Sequence, residues 1–259
     1  MVNAEPAQQE AGPTMSLLDH VRELRDRVFR IAIAMVIGSS VGYFFRNELL
    51  EFLKQPYPGQ LIAGGVPDQL TVAATIAITV GAIIALPVIV WQVLGFVAPG
   101  LYPHEKRWLF FAVPFGLVLF VVGSGFAYYL MLPTMIPFLT GILDPGTVTN
   151  LLRLDDYVTF VSGVLFWMGV AFEMPVIMFV LAKLNVVSAR MLVKYWRFSI
   201  VAVAVIAAVI TPTPDPVNMA IVMLPLIVLY GFSIVMAFLA RRGAQVPAML
   251  DPGEQDKDE

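Results

Sequence analysis

Cysteine is absent from the 259 residues, and histidine is limited to His20 and His104. The first absence removes disulfides, thiolate metal sites and thiol nucleophiles. The second leaves no His-Glu-x-x-His centre, and no histidine inside an apolar run to activate a serine. A Walker-type glycine loop is missing too, so neither catalysis nor a cofactor or metal site is expected. Charge is scarce, at 14% of residues and a net −3, against a hydrophobic share of 59% and a mean hydropathy of +0.81. So little charge cannot solvate a globular surface of this size. A pI near 5.4 without any Lys/Arg block offers no field to hold nucleic acid. Lipid is the solvent such a composition fits.

What the chain has is apolar length. About 20 apolar residues cross the hydrocarbon of a bilayer, and six runs approach or exceed that, at 28–45, 70–97, 108–132, 157–182, 198–211 and 217–240. The expected fold is an all-α membrane protein with six transmembrane helices, its membrane domain filling 16–240 between a polar leader, 1–15, and a disordered tail, 241–259. The fifth run is short and stops at Thr211-Pro212-Thr213-Pro214-Asp215-Pro216. Either it is a half-depth helix in a locally thinned bilayer, or the proline turn dips into protein-shielded membrane. The stretch Met1 to Pro13 lacks the basic start and apolar core of a cleavable signal.

Cytoplasmic segments retain Lys and Arg. Six alternating spans put thirteen of the sixteen on one side, among them Arg22, Arg25, Arg27, Arg30, Lys106 and Arg107, and leave Arg46, Lys54 and Arg153 on the other. Both termini are thus expected in the cytoplasm, with 46–69 and 133–156 outside.

Ser16-Leu17-Leu18-Asp19 opens a helix in capping-box style, and Leu17, Val21, Leu24 and Val28 recur at helical spacing. The segment reads as an amphipathic helix at the cytoplasmic interface that runs into the first span. Its charges match internally as Asp19 with Arg22, Glu23 with Arg27 and Asp26 with Arg30, the pattern of a solvated charged face. Gly38-Ser39-Ser40-Val41-Gly42 offers a close-packing surface. Glu173 lies deep in the fourth run, where an ionisable group costs several kcal/mol unless protonated, hydrated or paired. A functional group is the default reading there, and a neutral acid hydrogen-bonded to a neighbouring helix is the plain one. Asp215, among three prolines, reads more simply as a turn residue.

Four segments together resemble a known family. They are His20-Val21-Arg22-Glu23-Leu24-Arg25, the stretch from Phe96-Val97-Ala98-Pro99-Gly100-Leu101-Tyr102 to Pro103-His104-Glu105-Lys106-Arg107, then Phe172-Glu173-Met174-Pro175, and Thr211-Pro212-Thr213-Pro214-Asp215. In order and spacing they are similar to TatC, the receptor subunit of the twin-arginine protein translocase, over roughly 17–240. The resemblance implies a non-enzymatic receptor in the cytoplasmic membrane that binds the paired arginines of signal peptides on folded precursor proteins. It implies single-span partners of the TatA and TatB kind, several copies in the working complex, and transport driven by the proton-motive force. It assigns Glu23 and Glu105 to the peptide arginines, with Arg25, Phe96, Pro99, Leu101, Tyr102 and Arg107 supporting them. Pro56 matches a proline of the first outer loop, Glu173 the intramembrane acid, and Pro214 and Asp215 the last outer turn. Met219 stands where some relatives carry a glutamine linked to partner contact, and Arg22 brings a positive charge close to a site meant for arginines.

The residues alone also admit a small-solute or ion transporter with Glu173 as its proton or substrate site, or a structural scaffold. Against a transporter stand the missing internal repeat and the placing of the most patterned motifs on cytoplasmic segments.

Overall fold

A chain surrounded by hydrocarbon must satisfy its own peptide groups, and helices do this within one segment. The computed structural model describes residues 17–57, 59–97, 107–141, 152–211 and 215–242. Its elements are α1 (Leu17–Phe44), α2 (Arg46–Lys54), β1 (Leu61–Ile62), α3 (Val66–Val97), α4 (Arg107–Phe126), a π-helical turn (Ala127–Met131), α5 (Leu132–Thr140), β2 (Leu152–Arg153), α6 (Leu154–Phe172), α7 (Met174–Lys183), α8 (Ala189–Lys194), α9 (Trp196–Ile210) and α10 (Pro216–Arg242). Among the described residues five helical segments are long and apolar enough to cross a membrane, namely His20–Phe44, Val66–Phe96, Phe111–Thr140, Leu154–Lys183 and Pro216–Ala240, and α9 is a shorter sixth. The leader 1–15 and the tail from 243 lie outside the described residues.

Proline positions explain where the spans depart from straight helices. The third span was expected to stop at 132, yet helix continues to Thr140. Pro133 sits in the first turn of α5, where its missing N–H costs least, and the π turn widens the backbone around the Tyr129 carbonyl that its ring opposes. The fourth span breaks at Glu173, which ends α6 and precedes α7 with Pro175 in the first turn. There the Glu173 N–H falls back on the Val170 carbonyl at 3.0 Å, while the Glu173 carbonyl accepts from Val176 and Ile177, each at 3.0 Å. After α7, Asn185 adopts a left-handed φ of 59°, and the Val186 N–H closes on the Leu181 carbonyl at 3.0 Å. With 15 residues, α9 is about 22 Å long, against roughly 30 Å of hydrocarbon.

The amphipathic segment is continuous with the first span: α1 runs unbroken from Leu17 to Phe44. Of the anticipated charge pairs, Glu23 with Arg27 forms, whereas Asp26 accepts from its neighbour Arg25 at 2.8 Å and no Asp26–Arg30 pair occurs among the described residues. One residue of separation suffices here because both side chains are exposed and free to fold sideways. The glycine pair of α1 meets α3. A β-carbon on Gly38 would lie 2.6 Å from the Gly81 carbonyl oxygen, and one on Gly42 would lie 3.0 Å from that of Ala77. Small residues thus let the two backbones touch.

The main core joins Val72 and Ile76 of α3, Met131 to Ile136 around the π turn and α5, Tyr157 to Phe172 of α6, Val203 to Ile210 of α9 and Val222 to Leu229 of α10. Large apolar side chains such as Val36, Phe44, Phe115 and Val209 face outward, as lipid contact demands.

The outer segment 46–69 was expected to be loop, but it holds a helix and a strand. Leu53 of α2 is buried in the main core, and the α2 carbonyls of Phe52 and Leu53 accept from Tyr128 and Tyr157 hydroxyls, each at 2.8 Å. β1 pairs parallel with β2, Leu61 opposite Leu152 and Ile62 opposite Arg153. Arg153 Nη2 reaches Asp68 at 2.9 Å and Asp155 at 3.1 Å, and the hydrogen bond to Asp155, helped by the charges of Asp155 and Asp68, pushes the Arg153 pKa above its ordinary value. Pro56, half-buried, turns the chain out of α2.

Candidate functional site

At the cytoplasmic end, the first turns of α1 lie along the last turns of α3. Helical spacing places Glu23 and Arg27 on one face of α1. Arg27 Nε and Nη2 both donate to Glu23 Oε1, at 3.0 and 2.5 Å, while Arg27 Nη1 donates to the Gln92 carbonyl at 3.1 Å and to Gln92 Oε1 at 3.3 Å. Gly95 makes room for the guanidinium, because a β-carbon there would collide with Arg27 Nη1. One turn earlier His20 stacks on Phe96, with ring centroids 4.4 Å apart. Glu23 Oε2 is buried and has no hydrogen-bond partner among the described residues. A buried carboxylate oxygen left unmet costs about 1–3 kcal/mol, so this one is an acceptor that a cation would satisfy.

Of the residues expected in this site, Glu23 and Phe96 lie in the α1–α3 contact, while Arg25 is exposed and paired with Asp26. Arg107 begins α4. Pro99, Leu101, Tyr102 and Glu105 lie outside the described residues. Their segment leaves α3 at Val97 and returns at Arg107, so Glu105 is two residues from the start of α4. Reading the sequence missed Gln92. A polar residue near the end of an apolar run carries the ordinary signature of a membrane edge, and its one distinguishing signal was a glycine three positions on.

The second candidate lies inside the bundle. Glu173, 7% exposed, sits at the break between α6 and α7. Its carboxyl rests against α4, so that a β-carbon on Gly116 would lie 2.6 Å from Oε2, and Oε1 is buried without a hydrogen-bond partner. Close by, an apolar pocket of about 530 Å³ opens between α4, α7 and α10, lined by Phe115, Val118, Val176, Phe179 and Met236 among others. At the outer end Asp215 caps the start of α10: Asp215 Oδ1 accepts from the Asn218 N–H at 2.7 Å and Oδ2 from Asn218 Nδ2 at 2.9 Å. Asn218 is fully buried and its Oδ1 has no partner, a feature the sequence reading did not single out. Met219 is half-buried against the main core, and Pro214 lies outside the described residues.

Comparison with known proteins decides the family. A sequence model described as Sec-independent protein translocase protein (TatC) matches residues 19–225. The chain belongs to the TatC family. A TatC of Deinococcus radiodurans is 38% identical over 253 residues, covering 93% of this chain and 90% of the relative. One of Aquifex aeolicus is 37% identical over 234 residues, covering 88% and 97%. A crystal structure of a twin-arginine translocase receptor, TatC, superposes with a TM-score of 0.75 at 36% identity, covering 86% of this chain and all of that one. The TatC motifs quoted from the sequence fall inside this matched range, and the chain is a multi-pass membrane subunit of a protein translocase. Nothing in these matches supports the small-solute transporter.

Proposed function

We propose that this TatC-family chain is the signal-peptide receptor of a twin-arginine translocase. It binds the paired arginines of folded precursor proteins at the cytoplasmic end of α1 and on the segment that joins α3 to α4. The observation that carries the reading is Glu23: its side chain is fixed by Arg27, and its second oxygen is an unmet acceptor. Glu105, tethered two residues before α4, supplies the second carboxylate. Two carboxylates suit two guanidinium groups, and each charge-assisted pair contributes on the order of 1.5–3 kcal/mol when partly buried. A lysine replaces a fork with a point charge and fits less well.

In this reading Glu173 and the outer turn at Pro214, Asp215 and Met219 serve TatA- and TatB-type single-span partners, and several copies of the receptor assemble in the cytoplasmic membrane. The proton-motive force drives transport, and the chain itself performs no group transfer. The test is binding of a synthetic twin-arginine signal peptide to the purified protein, with a twin-lysine peptide alongside. Glu23→Ala and Glu105→Ala are each expected to weaken twin-arginine binding tenfold or more at unchanged folding, about 1.4 kcal/mol. Undiminished binding by both variants would return these acids to a solvated charged face.

A further inference from the structure

Every nitrogen of the Arg27 guanidinium is committed. Nε and Nη2 hold Glu23 Oε1, and Nη1 holds the backbone and side-chain oxygens of Gln92, 65 residues away. Both bonds to Glu23 fall on the same oxygen, so Arg27 does not close the carboxylate in a fork-to-fork pair, and Oε2 stays buried with no partner. The guanidinium in turn sits against Gly95, where any side chain would displace it, and the His20–Phe96 stack closes the same α1–α3 seam one turn away. Side chains of Glu23 and Arg27 are mostly shielded, at 24% and 18% exposure, which weakens solvent screening between them.

We propose that Arg27, anchored by Gln92, is a specificity-determining positioning residue: it fixes the plane of the Glu23 carboxylate, so that one guanidinium of the signal peptide, on displacing the groups that cover Oε2, meets an acceptor of set direction. The inference rests on the receptor reading above and deepens it. A carboxylate free to rotate satisfies an ammonium as readily as a guanidinium, because a point charge needs no particular orientation. A carboxylate held in one plane fixes where a donor must lie, a constraint that a rigid planar guanidinium can be matched to and from which a point-like ammonium gains nothing. Arg27 thereby sets discrimination between arginine and lysine without touching the peptide.

The experiment measures affinity of full-length detergent-purified protein for twin-arginine and twin-lysine signal peptides in wild type, Arg27→Gln, Arg27→Lys and Gln92→Ala, each checked for a monodisperse elution profile. Arg27→Gln is expected to weaken twin-arginine binding about tenfold and to move the arginine-to-lysine ratio toward one. Arg27→Lys, which keeps the charge but not the fork, should lose part of that ratio, and Gln92→Ala should act in the same direction with smaller size. In a Glu23→Gln background, Arg27→Gln should add little, because both act through one carboxylate. Tighter twin-arginine binding by Arg27→Gln would overturn the proposal and make Arg27 a competitor for Glu23. Equal loss for both peptides, or no loss in any variant, would overturn it as well. Failure of the unmutated protein to prefer the twin-arginine peptide would instead overturn the receptor reading, so the two failures are distinguishable.

Discussion

Gly38 of α1 and Gly81 of α3 face each other backbone to backbone, with room for no side chain on either: a β-carbon on Gly38 would lie 2.6 Å from the Gly81 carbonyl oxygen, and one on Gly81 would collide with Ser39. Because α1 and α3 also form the Arg27–Gln92 contact, this seam sets the height at which Glu23 stands. Gly38→Leu should therefore destabilise the protein by about 1–3 kcal/mol through forced separation of the helices, read as a lower thermal midpoint in detergent. Gly163→Ala is the control, since nothing lies within 4 Å of its β-carbon, and its midpoint should not fall.

The outer cap gives a second prediction. The Tyr157 hydroxyl donates to the buried Leu53 carbonyl at 2.8 Å. Tyr157→Phe leaves that carbonyl without its hydroxyl donor and should cost about 1–3 kcal/mol, with signal-peptide binding at the opposite end of the bundle unaffected. Equal thermal midpoints for variant and wild type would show that the α2–α6 tie contributes nothing.

Glu105 can be separated from simple charge by conservative change. Glu105→Asp keeps the carboxylate and loses reach, whereas Glu105→Gln keeps reach and loses charge. The aspartate variant should bind a twin-arginine peptide more tightly than the glutamine variant, by several-fold in titration, since a charged acceptor is worth roughly twice a neutral one.

At Glu173, glutamine preserves shape and hydrogen-bonding capacity, and alanine removes both. Glu173→Ala should leave signal-peptide binding intact and weaken co-purification of a single-span partner. Glu173→Gln should retain both, and it should retain transport if the carboxyl serves as a neutral hydrogen-bonding group. Transport lost in Glu173→Gln with partner association intact would point to a titrating role.

Single cysteines test orientation, which the positive charges place and the helix arrangement leaves free. Cysteines at Asn3 and Ala244 should label from the cytoplasm, and those at Gly59 and Gly146 from outside. Labelling of the two ends from opposite faces would refute the six-span arrangement.

How much of this was legible in the sequence depends on the scale of the interaction. Hydropathy locates the six runs because lipid imposes one requirement along a whole helix. It does not reveal that Pro133 is absorbed by a widened turn, because the outcome depends on backbone strain shared among neighbours. Nor does it reveal α2, whose nine residues are held by two distant tyrosines and by Leu53 in the core. The Glu23–Arg27 pair was legible from i, i+4 spacing, but that spacing cannot tell a solvated pair from one clamped by Gln92. Glu105, Leu101 and Tyr102 came from likeness to a family, since no periodicity marks residues on a connecting segment.

The outer cap also bears on the order in which the chain matures. Tyr157 to Leu53 spans 104 residues and Arg153 to Asp68 spans 85, and β1 has no strand partner until β2 has been made. The long-range hydrogen bonds, the ion pair and the strand pairing that tie down 46–69 come from the third span, the start of the fourth and the segment just before it. During synthesis the first outer segment must therefore wait, translocated but unpaired, while two further spans are inserted, and contacts so distant along the chain form slowly. The stretch from α2 to β1 therefore gains its full set of ties only after the fourth span has been made.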